Sequence, residues 1–401
     1  MATVDQRTYL SSRMQQVAGP RDSRTITSTD AKAFGQQVRF LIPKQGNQLL
    51  QGLYLLIDLP AFSGFSTAVP TSEYVRFVNN IGVRLFERID LESQGEVIAQ
   101  VYPDQIMHNI LTHTDDHEMT VVKRQIGNGS ASDRNSAGAA AQELCLDMHY
   151  VFDIFRKPFP INLMRDSVKP LEIVFHIQSN QDKVVQTTHT TKGTVTITDL
   201  KLEAVYVAND EVTNLIINNY NNRGFWQTYG HRYHRAHKAV SSGSSTTQDI
   251  DLRQTQNMNI ISYALMVRDA ADLSTSYACD YDDGVQAVTS FNLKDGSHYI
   301  FYKQNLITDT LYRRVLFNEY RFKNPEAMLD SNTYWVYFGP SMEHEWDDAK
   351  RFVGGKNTKA YEDMKLEVVL ANTSADKAVN VECIQAVVYR IIGGKLMWAA
   401  V

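Results

Sequence analysis

LEIVF at residues 171–175 is matched about 195 residues later by LEVVL at residues 366–370. A second pair follows in the same order, with LEAVY at residues 202–206 and IQAVVY at residues 384–389. All four segments are rich in the β-branched and aromatic residues that favour strands. The repeat is as long as a whole domain, whereas solenoid proteins repeat every 20 to 50 residues or so. The simplest interpretation is two tandem β domains of related design.

The bulk properties are those of a globular protein with room for two such domains. The chain has 401 residues, of which 43% are hydrophobic and 21% charged, and a domain takes roughly 100–200 residues. The net charge of −5 argues against a protein whose main task is to grip nucleic acid through a basic surface. Three widely separated cysteines, Cys145, Cys279 and Cys383, suit free thiols in a reducing compartment better than disulfides or a zinc site.

No targeting segment is expected. The N-terminal residues contain no apolar run of the kind that a secretory signal needs, and no run of 18 apolar residues predicts a membrane span. We therefore expect synthesis in the cytoplasm. Residues 128–130 and 372–374 match the glycosylation acceptor pattern, and without a secretory route we interpret both as chance matches.

Residues 1–30 are polar and are predicted to form an N-terminal arm. Leu10, Met14 and Val17 have the spacing of one helical face, with several arginines around them. The arm is either mobile or becomes ordered against a partner, an inner membrane or nucleic acid.

The rest of the chain is predicted to form two domains, residues 31–218 and residues 219–401, with the boundary near 215–225. A helix is predicted over 104–123, a short helix over 212–217 and a helix start at 324–326. Turn residues separate short strand-like segments, which lie at 38–42, 49–59, 74–78, 83–91, 97–99, 144–155, 171–178, 195–207, 226–240, 249–252, 259–268, 333–338, 364–371, 379–392 and 395–399. This profile is typical of an all-β sandwich or jelly roll, and the strand–helix alternation of a parallel α/β sheet is missing.

Several motifs resemble those of a known family. They are FLIPKQG at 40–46, YVRFVNNIG at 74–82, IDLESQGEVI at 89–98 and, more weakly, FNEYRF at 317–322 and VYRIIGGKLM at 388–397. These segments are similar to parts of the major capsid proteins of the adenovirus, tectivirus and nucleocytoplasmic large DNA virus lineage, with a virophage-like or polinton-like branch implied. The sequence departs from that pattern at Phe77, where the family has Trp, at the turn 93–95 and at 353–357.

The resemblance implies a double jelly roll, with two eight-stranded sandwiches in tandem and short helices in the connecting loops. It further implies a homotrimeric capsomer of near-sixfold outline that tiles an icosahedral virion shell. Implied partners are neighbouring capsomers, minor capsid or penton proteins and, through the arm, an internal membrane, with no sequence-specific nucleic acid binding and no enzymatic activity. The alternatives are a minor capsid protein of the same lineage and a jelly-roll carbohydrate-binding protein.

Two histidine-containing segments have the chemistry of candidate sites. His231, His234 and His237 recur every third residue among basic residues, which favours a solvated or interface-facing basic loop over a metal or anion site. Residues 113–118 (HTDDHE) place His113 and His117 on one helix face with Asp115, Asp116 and Glu118 nearby, but a metal site would need a distant third ligand.

Three further motifs lack the spacing that their chemistry requires. Residues 280–284 (DYDDG) look calcium-like but do not follow the EF-hand order, which leaves a loose calcium site between loops as the alternative. Gly354-Gly355-Lys356 and Gly393-Gly394-Lys395 lack the spacing of a phosphate-binding loop and are interpreted as turns. No catalytic, cofactor-binding or metal-binding residue is therefore predicted, and no cofactor.

Overall fold

The structure is a computed structural model that describes residues 17, 19–62, 74–114, 116–130, 132–134, 140–165, 171–187, 193–269, 288–300, 333–338 and 356–400. Antiparallel strands dominate these residues and form two successive groups of sheets.

The first group of strands lies before residue 210 and is followed by a long helix. Its strands are β1 (Arg21–Thr27), β2 (Gln37–Leu41), β3 (Leu49–Leu59), β4 (Val75–Phe77), β5 (Phe86–Ser93), β6 (Glu96–Val101), β7 (Gln142–Asp147), β8 (Glu172–Ile177), β9 (Val185–Thr187) and β10 (Asp199–Val207). Its helices are α1 (Ile81–Arg84), α2 (Pro103–His113), α3 (Asp116–Gln125) and α4 (Asp210–Arg223), with short 3₁₀ helices at Asp153–Phe155, Ile161–Leu163 and Gln181–Lys183.

The second group follows α4. Its strands are β11 (Phe225–Val240), β12 (Thr247–Asp251), β13 (Asn259–Asp269), β14 (Val288–Asp295), β15 (His298–Tyr299), β16 (Thr333–Tyr337), β17 (Lys356–Asn357), β18 (Met364–Leu370), β19 (Lys377–Ile392) and β20 (Lys395–Ala400). Short 3₁₀ helices lie at Arg253–Thr255 and Thr358–Ala360.

Both groups have the same strand order. The N-terminal half forms the sheets β1-β10-β3-β7 and β2-β8-β5-β6, and the C-terminal half forms β11-β19-β13-β16 and β12-β18-β14-β15. When the eight strands of these sheets are numbered along each half, both halves read 1-8-3-6 and 2-7-4-5. Two facing four-stranded sheets with this order form a jelly roll, so the predicted double jelly roll is confirmed. We refer below to the 1-8-3-6 sheet and the 2-7-4-5 sheet of each half.

The sequence repeat falls on equivalent strands. LEIVF lies at the start of β8 and LEVVL lies in β18, which are the seventh strands of their halves. The faces also agree, because Ile173 and Phe175 are buried like Val368 and Leu370. The second pair lies in the eighth strands, β10 and β19, but there the faces differ. Glu203 points outward, whereas Gln385 is on the same face as the buried Cys383.

Alternating side chains build the N-terminal core. In β10 the residues Leu200, Leu202 and Ala204 are fully buried and their neighbours are half-exposed, which is the period-two pattern of a strand buried on one face. From the facing sheet, the ring of Phe175 packs edge-on against Phe40 at 5.7 Å and lies 5.1 Å from the Phe86 ring. Burial of each such ring contributes about 1.5–3 kcal/mol.

Several predicted boundaries in the N-terminal half are wrong. The segment 83–91 is predicted as one strand, but α1 occupies its start and β5 begins at Phe86. Asn80, with a φ of 57°, turns the chain into α1, so Val83 and Leu85 are buried from a helical turn. The single helix over 104–123 is two helices, because Thr114 is extended and ends α2. Similarly, the strand predicted over 144–155 ends at Asp147.

The linker helix is longer than predicted. α4 has 14 residues instead of the six at 212–217, because Asn209 caps its start by accepting a hydrogen bond from the Val212 amide at 3.0 Å. Gly224, with a φ of 76°, ends it. The predicted domain boundary between 218 and 219 therefore falls inside a helix.

The arm is shorter than predicted. β1 lies within residues 1–30, but it pairs with β10 over its whole length, from Arg21 opposite Val207 to Thr27 opposite Lys201. It is the first strand of the N-terminal jelly roll, so only the residues before it are available to form an arm. Leu10 and Met14 lie outside the described residues, whereas Val17 is buried beside Val207, Val212 and Ile216.

Candidate functional site

The two jelly rolls are held together by contacts between a helix of the first and a sheet of the second. α2 belongs to the N-terminal half, and its side chains contact the outward face of the C-terminal 1-8-3-6 sheet. The start of α2 is fixed locally. Pro103 occupies its first position, and the Gln105 side-chain oxygen accepts a hydrogen bond from the Tyr102 amide at 2.9 Å. The helix thereby presents its first two turns to the other half.

Asp104 in the first turn of α2 binds two arginines of the C-terminal half. Arg235 of β11 donates to one carboxylate oxygen at 3.0 Å and Arg268 of β13 donates to the other at 3.2 Å. The side chains of Asp104 and Arg268 are only 6% and 7% exposed. An acidic residue in the first turn is also favoured by the helix dipole. The carboxylate therefore links two strands of one half to the helix of the other.

His108, one turn further along α2, lies over β19 and β16 of the C-terminal half. Its Nδ1 lies 3.6 Å from Oε2 of Glu382 in β19, and its ring lies 5.1 Å from the Trp335 ring of β16. Glu382 is fully buried. Burial raises the pKa of the Glu382 carboxyl, and the nearby Asp104 carboxylate raises it further, while His108 opposes the shift. The pair is thus a buried ionisable contact between the halves.

Asn109 of α2 adds hydrogen bonds between uncharged groups to this contact. The Asn109 amide donates to the Tyr150 carbonyl at 2.9 Å, and its nitrogen lies 2.7 Å from the Tyr233 hydroxyl of β11. The partner groups of the C-terminal half share one surface because of the strand register. Arg235, Glu382, Ala264 and Trp335 lie directly opposite one another on β11, β19, β13 and β16. Residues in such a row point to the same face of a sheet.

A second contact between the halves lies at the middle of β11, four residues before Arg235. The Nδ1 atom of His231 is 3.2 Å from Oδ2 of Asp153, and burial raises the pKa of this carboxyl while His231 opposes the shift. The Tyr389 hydroxyl donates to the His231 carbonyl at 2.5 Å. The hairpin between β19 and β20 adds the Gly394 carbonyl, which accepts from the Arg165 amide at 2.9 Å. Buried contacts therefore hold the two halves together along β11 as well as at α2.

The three predicted histidines do not form a basic loop. His231, His234 and His237 lie on β11, where His234 points to the face opposite the other two. Each ring has its own side-chain partner: Asp153 for His231, Gln385 for His234 at 2.8 Å and Asn380 for His237 at 2.8 Å. Burial lowers the pKa of His234. Every-third-residue spacing resembles a helical period, but the strand places these rings apart.

The other candidate motifs contribute little to a site. In the segment 113–118, Glu118 accepts from the Tyr150 hydroxyl at 3.1 Å, whereas the side chains at 113 and 115–117 lie outside the described residues. The motifs at 280–284, 317–322, 324–326 and 354–355 also lie outside them, as does Cys279. Gly393 and Gly394 form the turn between β19 and β20, with φ values of 58° and 79°.

The two cysteines that the structure describes, Cys145 and Cys383, are free thiols. Burial raises the pKa of Cys145 to about 11 and that of Cys383 well above its ordinary value. In the described ranges, no three or more potential ligands among His, Cys, Asp and Glu stand close enough to hold a metal ion. None of the helices in these ranges is long and apolar enough to cross a membrane.

The strand order defines this chain as a double jelly-roll protein, and comparisons with solved structures agree. The VP54 protein of PBCV-1, fitted into a reconstruction of the virophage Sputnik, is similar over 96% of this chain and 98% of its own, with 12% identity and a TM-score of 0.66. The Faustovirus major capsid protein is similar over 94% of this chain and 91% of its own, with 12% identity and a TM-score of 0.66. The mavirus major capsid protein is similar over 96% of this chain and 91% of its own, with 12% identity and a TM-score of 0.56.

At this level of identity, the likenesses establish the fold. No protein-family model matches the chain, and no curated protein matches it. The structural comparisons also show that the similarity extends along both halves, since it covers at least 94% of this chain in all three.

Proposed function

We propose that this chain is a viral major capsid protein whose activity is self-assembly. The observation that carries the proposal is the equal strand order of the two halves, held together by buried charged contacts of α2. Three proteins that share this fold over nearly their whole length are major capsid proteins or are fitted into a virus reconstruction.

The duplicated fold suits a trimer. Three copies that each hold two similar jelly rolls give six similar towers around a threefold axis. Such a capsomer has a near-sixfold outline and packs like a hexagon, which suits the tiling of an icosahedral shell. The rigid junction serves this arrangement, because the angle between two towers of one chain must match the angle between towers of neighbouring chains.

The proposal includes location and partners. The protein is a virion component with a structural rather than enzymatic role, and it contacts neighbouring capsomers and minor capsid or penton proteins. Residues before β1 form an arm on the inner side of the shell, where an internal membrane is its partner. The two domains correspond to the two jelly rolls, with α4 between them.

Electron microscopy of the purified protein tests the proposal. Negatively stained particles should be uniform and show a hexagonal outline with threefold symmetry in end views. Two-lobed particles of single chains, at concentrations where capsid proteins assemble, would contradict the proposal. A virion preparation adds the copy number, which should be the highest among the shell proteins.

A further inference from the structure

The duplication does not account for one end of the C-terminal 1-8-3-6 sheet. β11 and β19 each run for 16 residues, whereas their counterparts β1 and β10 run for 7 and 9. β20 pairs with the last residues of β19, at the point where the N-terminal half continues from β10 into α4 instead. β11, β19 and β20 therefore extend the second jelly roll by a three-stranded ribbon that the described residues of the first half do not repeat.

One face of this extension is rich in apolar and aromatic side chains. α2 covers the same face further along β11, at Arg235. Beyond it, the register aligns three rows of residues that point to one side of the ribbon. The rows are Phe225, Ile392 and Lys395; Gln227, Arg390 and Met397; and Tyr229, Val388 and Ala399. We call these nine residues the base patch, and all of them except Val388 are at least partly exposed.

The base patch groups apolar side chains that are accessible to solvent. Of the six large apolar side chains that are most exposed in the described residues, the patch holds Tyr229 at 38% and Ile392 at 39%. A third, Val97 at 45%, follows Glu96, whose carboxylate lies 2.8 Å from Nζ of Lys395 in the patch. Apolar residues that are exposed singly are ordinary, but a group of them marks an interaction site.

Guanidinium groups surround the exposed apolar side chains. Arg390 lies within the patch, with its guanidinium 5.4 Å from the centre of the Phe225 ring. Arg165 donates its amide to the Gly394 carbonyl at 2.9 Å in the turn between β19 and β20, and Arg223 is the last residue of α4, two positions before Phe225. The nine residues of the patch include no carboxylate. This end of the molecule is therefore basic, although the chain as a whole is acidic.

The base patch lies at the end of the fold where the N-terminal arm begins. Val17 is buried with Val207, Val212 and Ile216, and Trp226 packs against this cluster. Trp226 adjoins Phe225 of the patch, so the residues before β1 leave the fold beside it. In the proposed capsomer the arm lies on the inner side of the shell, and the patch is then at the same side.

We propose that the base patch binds the surface of an anionic lipid bilayer. The proposal rests on the proposed function, because it names a surface, besides the arm, through which a capsomer meets an internal membrane. Exposed apolar and aromatic side chains beside arginines suit the boundary between headgroups and acyl chains. A nucleic acid would bind the arginines and leave Ile392 in water, so the composition favours lipid. Each patch is small, and the three patches of a trimer bind a bilayer together.

Ile392→Asp tests the proposal. The substitution replaces an exposed apolar side chain by a charge that anionic headgroups repel, at the end of a strand where the fold tolerates it. We expect the apparent Kd for vesicles of phosphatidylserine and phosphatidylcholine to rise about tenfold or more in a cosedimentation assay. The matched control is Val121→Asp. Val121 is 49% exposed on α3, and β7, which follows α3, begins beside Leu59, at the opposite end of β3 from Leu49 of the Val17 cluster.

Sedimentation velocity on the same samples reports the oligomeric state. Weaker vesicle binding by an Ile392→Asp trimer, beside unchanged binding by the Val121→Asp trimer, supports the proposal. Equal binding by Ile392→Asp and the parent overturns it. A parent trimer that binds short duplex DNA and not the vesicles also overturns it, and leaves the proposed function intact. A monomeric parent overturns the proposed function instead.

If circular dichroism shows that Ile392→Asp does not fold, footprinting of the parent protein with hydroxyl radicals replaces it. Tyr229 and Met397 are the oxidisable reporters within the patch. We expect the labelling of both to fall when anionic vesicles are added. Unchanged labelling of both residues in vesicle-bound protein would place the lipid contact on another surface and would show that the proposal is wrong.

Discussion

His108 and Glu382 approach to 3.6 Å, Nδ1 to Oε2, although they belong to different jelly rolls. Both side chains are almost completely removed from water, with 3% and 1% of their surface exposed. Burial of two ionisable groups is costly unless they are paired, so the contact favours one relative placement of the halves. Together with Asp104 and its two arginines, the pair makes the junction specific as well as stable.

Asp104→Asn should destabilise the protein strongly. The substitution removes the carboxylate charge that Arg268 and Arg235 both bind, and loss of one partner's charge from a buried pair costs about 3–5 kcal/mol. Urea unfolding of the isolated chain measures the loss. Asp251→Asn is the control, because Asp251 is half-exposed and paired with the exposed Arg253, and such pairs are worth at most about 1 kcal/mol. Equal losses in both variants would contradict the structural role of Asp104.

Glu382→Gln should alter how stability depends on pH. The pKa of Glu382 is raised in the folded protein from an ordinary value of 4.5, so the folded state holds this proton more tightly than the unfolded state. The contribution of the carboxyl is then full below pH 4.5 and is lost as the pH rises through the folded pKa. The amide that replaces the carboxyl has no such proton to lose, so the fall in unfolding free energy as the pH rises above 4.5 should become shallower. An unchanged slope would contradict the assignment.

Gly230→Ala should be destabilising because the backbone of β11 lies against a buried ring. A Cβ at this position would lie 2.5 Å from Cε2 of Tyr389 and 3.2 Å from Oδ2 of Asp153. Overpacking of this kind costs about 1–3 kcal/mol, which a shift in the thermal midpoint reports. Gly230→Ala should cost less stability in a Tyr389→Leu background than in the parent protein, because the clashing ring is absent there. If the two changes are simply additive, the close approach is not the cause.

Truncation at the N-terminus separates the arm from the fold. A chain that begins at Val17 keeps β1 and the small cluster of Val17 with Val207 and Val212, and it should fold and form capsomers with defects only in shell assembly. A chain that begins at residue 28 loses β1 and exposes the edge of β10, so it should aggregate or fail to fold. Circular dichroism and sedimentation distinguish the two. A well-folded trimer from the shorter chain would show that β1 is dispensable.

The sequence predicted strands well where apolar and polar residues alternate within a short segment, as in a strand that is buried on one face. The LEIVF and LEVVL segments lie on equivalent strands with the same faces buried, because alternation within a strand is visible in the sequence. The strand prediction failed at Val83 and Leu85. These two residues are buried in and just after a helical turn, and their alternating apolar pattern is the same as that of a strand. It also failed at β1, whose residues are nearly all exposed and therefore look like an unstructured arm.

The junction could not be predicted from the sequence. Asp104, Arg235, Arg268 and Glu382 are far apart in the chain, and Arg268 and Glu382 are single charged residues within otherwise largely apolar segments. They meet because the register of four strands aligns one row and because α2 crosses that row. One signal was present: residues 384–389 (IQAVVY) place apolar side chains on both faces of a strand, and a strand that is apolar on both faces must be covered on both.

The mass of the assembled protein tests the central claim most directly. Light scattering after size-exclusion chromatography should give about three times the chain mass of 45.5 kDa, in a peak that persists on dilution to low micromolar concentration. A single species of one chain mass under the same mild conditions would contradict the account of a capsomer built from three copies of a double jelly roll.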